Sequence, residues 1–154
     1  RLEPVKQAIP KINKYPILLK QQRLIQDHYD FLRCSVNKNV LICTGWIIQP
    51  DCESYRIKIE YAVGYEPKST ILSPLIDPSK KIHMYNDRSL CLSYPPDMKW
   101  NEKTEIFRFT IPWIAKWIIY YEIFKGNGGV WEGPESPVHF KESERNRNKD
   151  RAFI

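Results

Sequence analysis

The chain has 154 residues, 42% hydrophobic and 13% aromatic, with five Trp and nine Tyr, enough for one core and too rich in large apolar side chains for a disordered polymer. Its longest apolar run, Trp113 to Tyr121, is broken by Lys116 and falls well short of the ~20 residues that cross a bilayer; with no basic-then-apolar leader at Arg1, a soluble, cytoplasmic protein with no membrane partner is expected. Net charge +6 and a pI near 9.1 favour acidic partners, yet the stretch KESERNRNKD near the end carries both signs, so a solvated tail explains the charge better than a nucleic-acid groove.

Residues 1–16 mix charge and three prolines without periodicity and read as an irregular arm. From Pro16, the segment ILLKQQRLIQDHYD sets Leu18, Ile25 and Tyr29 along one stripe with Leu24 and His28 beside it, which is amphipathic-helix spacing. Three β-rich stretches follow, FLRCSVN, NVLICTGWIIQ and SYRIKIEYAV, separated by Asn-Lys-Asn and by Pro50-Asp51-Cys52-Glu53, both with turn chemistry. In the third, Tyr55, Ile57, Ile59 and Tyr61 alternate with Arg56, Lys58 and Glu60, giving one apolar and one wet face of an antiparallel meander. A short strand around Thr70 to Leu72, hemmed by Pro67, Pro74 and Pro78, suits an edge position because proline cannot donate to a ladder.

After that strand the regular sheet is expected to stop. Residues from Ile82 to Trp100 carry turn signals and no sustained period, so they read as one long ordered loop containing Cys91. A second helix is expected from about Thr104 to Phe124, ending at Gly126-Asn127-Gly128-Gly129, with Pro112 marking a kink or the true first turn. Downstream, VWEGPESPVHF is an aromatic, proline-rich wrap. The division is therefore an arm (1–16), one domain (17–140) and a charged tail (141–154).

The four cysteines, Cys34, Cys43, Cys52 and Cys91, lack the paired spacing of zinc ribbons or redox motifs. A tight hairpin at residues 37–40 brings Cys34 opposite Cys43, and two packed thiols are expected there rather than a bridge. No glycine-rich phosphate loop follows a strand, so no cofactor or metal is expected.

The order of helix, meander, cysteine-bearing loop and helix resembles the ubiquitin-conjugating enzymes. In that family a proline-rich edge strand leads to His-Pro-Asn, then to Ile-Cys-Leu with the thioester-forming cysteine, then to a tryptophan and further helices. Here YEPKSTILSP precedes His83, LCL surrounds Cys91 and Trp100 follows. The later features PWIAKWIIYYE and GVWEGPESPVH are similar to the bacterial branch encoded in CBASS anti-phage operons beside a cGAS-like nucleotidyltransferase.

The resemblance covers roughly residues 17 to 125. It implies an α+β, ubiquitin-conjugating-enzyme-like fold with an N-terminal helix, an antiparallel meander of about four strands, an active-site loop and a C-terminal helix. It also implies an acyltransferase whose Cys91 carries the C-terminus of the nucleotidyltransferase as a thioester; because no glycine-rich phosphate loop of an ATP-binding activating domain is present, activation would have to come from another protein, such as a separate activating enzyme.

A thiolate is nucleophilic without a strong general base, and its thioester is open to attack by an amine; Cys91 is thus read as the nucleophile, placed by its turn-rich loop outside the core and needing exposure. His83 is read as ordering the loop, with general base and surface histidine as alternatives. Tyr85 stands where the family has its asparagine, and the spacing from His83 to the cysteine is shorter, which leaves Asn86 or backbone N–H groups around Cys91 as oxyanion donors. Asp87 and Asp97 flank the cysteine as solvated turn residues or as groups that orient an incoming amine. Tyr94 either walls the thioester or packs under Pro95 and Pro96. Trp100 and Trp131 anchor loops to the core, and His139 is a structural residue of the wrap or a return to the site. Competing functions are a non-catalytic binding module of this fold, and a cysteine hydrolase using His83 or His139 as base.

Overall fold

The computed structural model describes residues 13–92 and 98–134; most of the arm, the charged tail, Tyr94, Asp97 and His139 lie outside the described residues. The elements are α1 (Tyr15–His28), β1 (Leu32–Asn37), β2 (Val40–Ile47), β3 (Tyr55–Ala62), β4 (Lys68–Ser73), a 3-10 turn (Lys80–Ile82) and α2 (Thr110–Gly126). The four strands form one antiparallel sheet in the order β1-β2-β3-β4, the α+β architecture expected.

The β1–β2 hairpin closes on Lys38 and Asn39, both at positive φ (49° and 62°), next to the last pair Asn37↔Val40. Positive φ at both central positions matches the twist of two antiparallel strands. In β3 the alternation is complete: Tyr55, Ile57, Ile59 and Tyr61 are fully buried while their neighbours face outward. Against this face pack Leu18 and Ile25 of α1 and Ile111, Ile114, Trp117 and Ile118 of α2, in one hydrophobic core. The expected α1 stripe is correct in Leu18 and Ile25, but it omitted Gln21, which is also buried. Its amide donates to the Thr104 carbonyl (2.8 Å) and accepts from the Ile106 N–H (3.1 Å). A buried amide is tolerable when both ends are satisfied, and here it ties α1 to the segment entering α2.

That segment corrects the second helix. Residues 104 and 105 are irregular, residues 106–109 are turn, and α2 begins at Thr110, so Pro112 sits in the first turn, where its missing N–H removes no helical hydrogen bond. Near its other end α2 is fastened to the start of β3. Tyr55 Oη donates to Glu122, and Lys125 spans Glu122 (3.1 Å) and Glu53 (3.4 Å). Burial and the adjacent Glu122 carboxylate push the Tyr55 phenol up. For Glu122, burial acts upward but the hydrogen bonds from Tyr55 and Lys125 outweigh it, holding the carboxyl below its ordinary value.

Two further expectations are corrected. Cys34 and Cys43 are joined in a disulfide rather than standing as free thiols, because the antiparallel register sets them directly opposite each other with Cα atoms 4.1 Å apart. The sheet also does not stop at β4: the Leu90 N–H donates to the Ser69 carbonyl (2.8 Å), and Thr70 pairs with Ser89. The loop after the sheet thus starts as a short rung on the outside of β4.

Gly45 faces Leu32 across the β1–β2 ladder, and a Cβ built there lies 2.2 Å from the Phe31 carbonyl oxygen. That contact is with backbone and cannot be relieved by a side-chain rotation. Gly45→Ala is expected to destabilise by about 1–3 kcal/mol, the usual cost of overpacking, read as a lower urea midpoint with an unchanged slope.

Candidate active site

The site is built by a short hairpin between the 3-10 turn and the cysteine. Ser79 caps the turn, its Oγ accepting from the Lys81 N–H (3.1 Å). His83 then ends the turn in the left-handed region (φ 54°, ψ 50°), an uncommon conformation that His adopts more readily than most residues. The chain reverses further on, at Tyr85–Arg88, where Arg88 is also at positive φ (71°). The Cys91 N–H donates to the His83 carbonyl (2.8 Å), the Tyr85 N–H to the Ser89 carbonyl (2.9 Å) and the Arg88 N–H to the Tyr85 carbonyl (2.8 Å). Met84 pairs with Leu90, and both turn into the core.

Tyr85 is therefore diagonal to Cys91 across the hairpin, a spacing that long aromatic side chains bridge. The Cys91 thiol donates to Tyr85 Oη at 3.1 Å. Cys91 is 5% exposed, so the expectation of an exposed thiol is corrected: the backbone bond to His83 and the ring of Tyr85 shelter it. It nonetheless lines a narrow cleft with a cavity volume of about 20 Å³. His83, Cys91 and Leu92 form the loop side, Trp113, Trp117 and Tyr120 form the α2 side, and Trp131 and Pro134 close the end.

Trp117 fixes the two sides together. Its Nε1 donates to the Ile82 carbonyl (2.8 Å, buried), and its ring lies 6.1 Å from that of Trp131, which in turn lies 5.1 Å from His83 and 5.8 Å from Tyr120. His83 is buried in this aromatic cluster. Trp100 packs edge-on against Tyr61 at 6.0 Å.

Asn86 lies exposed at the tip of the turn and makes no hydrogen bond among the described residues. Asp87 is placed as a loop brace: its Oδ1 accepts from the Ser89 N–H (2.9 Å) and Oγ (2.6 Å), and Oδ2 pairs with Lys68 (3.0 Å). The Ser89 hydroxyl, then its N–H, then Lys68 hold this carboxyl down at about 2 against an ordinary 3.8. A depressed folded-state value stabilises above the unfolded value, and the gain is lost as pH falls from about 4 toward 2. Because the side chain is 54% exposed, the effect is discounted to under about 1 kcal/mol. Asp87→Asn is expected to lower the urea midpoint slightly at pH 6 and to match the wild type at pH 2.

The structure places His83 and Tyr85 beside Cys91; the sequence reading named all three but did not place Tyr85 on the sulfur, and it did not assign Trp113, Trp117 and Tyr120 to the site. Their spacing of i, i+4 and i+7 was a visible signal; it reads as a core stripe until the loop is known to cross it. Among the described residues no group of three or more His, Cys, Asp or Glu is placed to hold a metal, and no helix is long and apolar enough to cross a membrane. Chemically the arrangement offers a sheltered thiol, a phenol in hydrogen-bond contact with it and an aromatic wall. A family model described as "Type II CBASS E2 protein" matches residues 21–139. No curated protein matches the chain.

Proposed function

Because the chain belongs to the type II CBASS E2 family, ubiquitin-conjugating-enzyme-like proteins of anti-phage defence operons, we propose that it is an acyltransferase that carries a protein C-terminus on Cys91 and passes it to an amine. The observation that supports this most is the place of the Cys91 thiol: it lines an aromatic cleft on the loop after the sheet, in hydrogen-bond contact with the Tyr85 phenol.

The cargo proposed is the C-terminus of a cGAS-like nucleotidyltransferase, as the resemblance implies, activated beforehand by a separate protein. Transfer onto Cys91 is an exchange of one thioester for another. Transfer off it forms an amide and returns the thiol, and neither step needs a cofactor or a strong base. His83 orders the loop through its carbonyl and its ring. A hydrolase working by a cysteine–histidine pair needs an imidazole on the thiol; among the described residues the thiol hydrogen bond runs to the Tyr85 phenol, and His139 lies outside them.

The test is intact mass, with and without reductant, of the protein co-expressed with a cGAS-like nucleotidyltransferase and an activating enzyme of such an operon, followed by peptide mapping. The expected result is a reductant-sensitive gain equal to the nucleotidyltransferase minus water, mapped to Cys91. A stable complex with no covalent gain would turn the conclusion to a binding module, and free nucleotidyltransferase shortened at its C-terminus would turn it to a hydrolase.

A further inference from the structure

Resting on the thioester reading above, we propose that the Tyr85 hydroxyl is a catalytic hydrogen-bond donor to the thioester carbonyl oxygen, taking the oxyanion role for which sequence reasoning had named Asn86 or a backbone N–H. Three observations carry this. Tyr85 Oη is 3.1 Å from Cys91 Sγ, and the carbonyl oxygen of an acyl group on that sulfur lies only one carbon further on. The Tyr85 backbone is held on both sides, its N–H by Ser89 and its carbonyl by Arg88, which fixes the point of the hairpin from which the phenol reaches the sulfur. Two other candidates among the described residues are placed elsewhere: Asn86 is at the exposed tip, and the Cys91 N–H is occupied by the His83 carbonyl at 2.8 Å.

The free enzyme and the acyl enzyme use the phenol differently. With a free thiol, S–H donates to Oη. Acylation removes that proton, and the phenol O–H then has the carbonyl oxygen as its acceptor. In the transfer step the amine nitrogen bonds to the thioester carbon, and negative charge gathers on the oxygen facing Tyr85. The C–S bond then breaks with its electron pair on Sγ, and the proton lost from nitrogen ends on that sulfur, giving an amide and the thiol. Donors aimed at an oxygen that gains charge act on the rate and little on ground-state binding.

The test removes only the hydroxyl. Cys91 is charged with a glycyl group by exchange from a small-molecule thioester, in a Cys52→Ser background because Cys52 is an exposed free thiol. Aminolysis by free lysine is then followed by intact mass. Tyr85→Phe is expected to charge as fully as the parent and to lose about 100-fold in aminolysis rate, the usual loss for one oxyanion donor, while Asn86→Ala stays within about twofold. Equal rates for Tyr85→Phe and its parent, or a large loss in Asn86→Ala alone, would overturn the assignment and leave the thioester reading standing. A charged parent that reacts with lysine no faster than glycyl-glutathione would overturn both.

Discussion

Exchange of Cys91 for alanine is expected to abolish the reductant-sensitive adduct completely while leaving the protein folded. The two outcomes have separate physical sources. Alanine offers no nucleophile, and the remaining free thiol among the described residues, Cys52, is exposed on the turn between β2 and β3 and is not among the residues lining the cleft. Stability depends instead on what the side chain contributes to packing. Cys91 is 5% exposed, yet its removal deletes one sulfur from a cleft wall and one thiol hydrogen bond, a loss of about 1 kcal/mol. Its N–H bond to His83 is backbone and survives the substitution. A urea midpoint close to that of the parent, together with no adduct, is the expected pair of measurements. An adduct that persists in Cys91→Ala would move the nucleophile elsewhere.

Trp117→Ala is expected to have the largest effect on stability, about 3–5 kcal/mol, the range for removing a buried indole. Trp117 is 3% exposed and belongs to the core. It also stacks on Tyr121 at 5.2 Å and donates to the Ile82 carbonyl. The last contact sets the character of the defect, since it is the pin between α2 and the turn that presents His83. Trp117→Phe keeps most of the ring but leaves that carbonyl without its indole donor, at an expected cost of about 1–3 kcal/mol. Urea unfolding measures both. In both variants the adduct at Cys91 should fall only as the folded fraction falls; full stability with loss of the adduct would instead make the indole a substrate contact.

Much of the fold is legible from β3 alone, where four inward residues at a spacing of two fix the strand, its face and the side on which the helices must pack. Local patterns of this kind are written in consecutive residues. Contacts set by register or by a distant element are not. The Cys34–Cys43 pairing was foreseen, but which bond it makes depends on how close the register brings the two residues. Gln21 looks like an ordinary polar residue on a helix until the chain returns more than eighty residues later to use both ends of its amide. The site divides in the same way. Cys91 and His83 stand out by residue type and neighbours, and the diagonal that brings Tyr85 to the sulfur follows from the hairpin turn at Tyr85–Arg88, whose positive φ falls on Arg88 with no glycine to announce it.

The rung that the cysteine loop adds to β4 has a consequence for colloidal behaviour. A strand with open N–H and C=O groups is a template on which a second molecule can build. Here the Ser69 carbonyl and the Thr70–Ser89 bridge occupy part of that template with the protein's own loop. The segment proposed to hold the reactive sulfur thereby also serves as a guard against self-association. A lesion that frees this hairpin from β4 would expose a sticky border, so aggregation and lost transfer should share one origin.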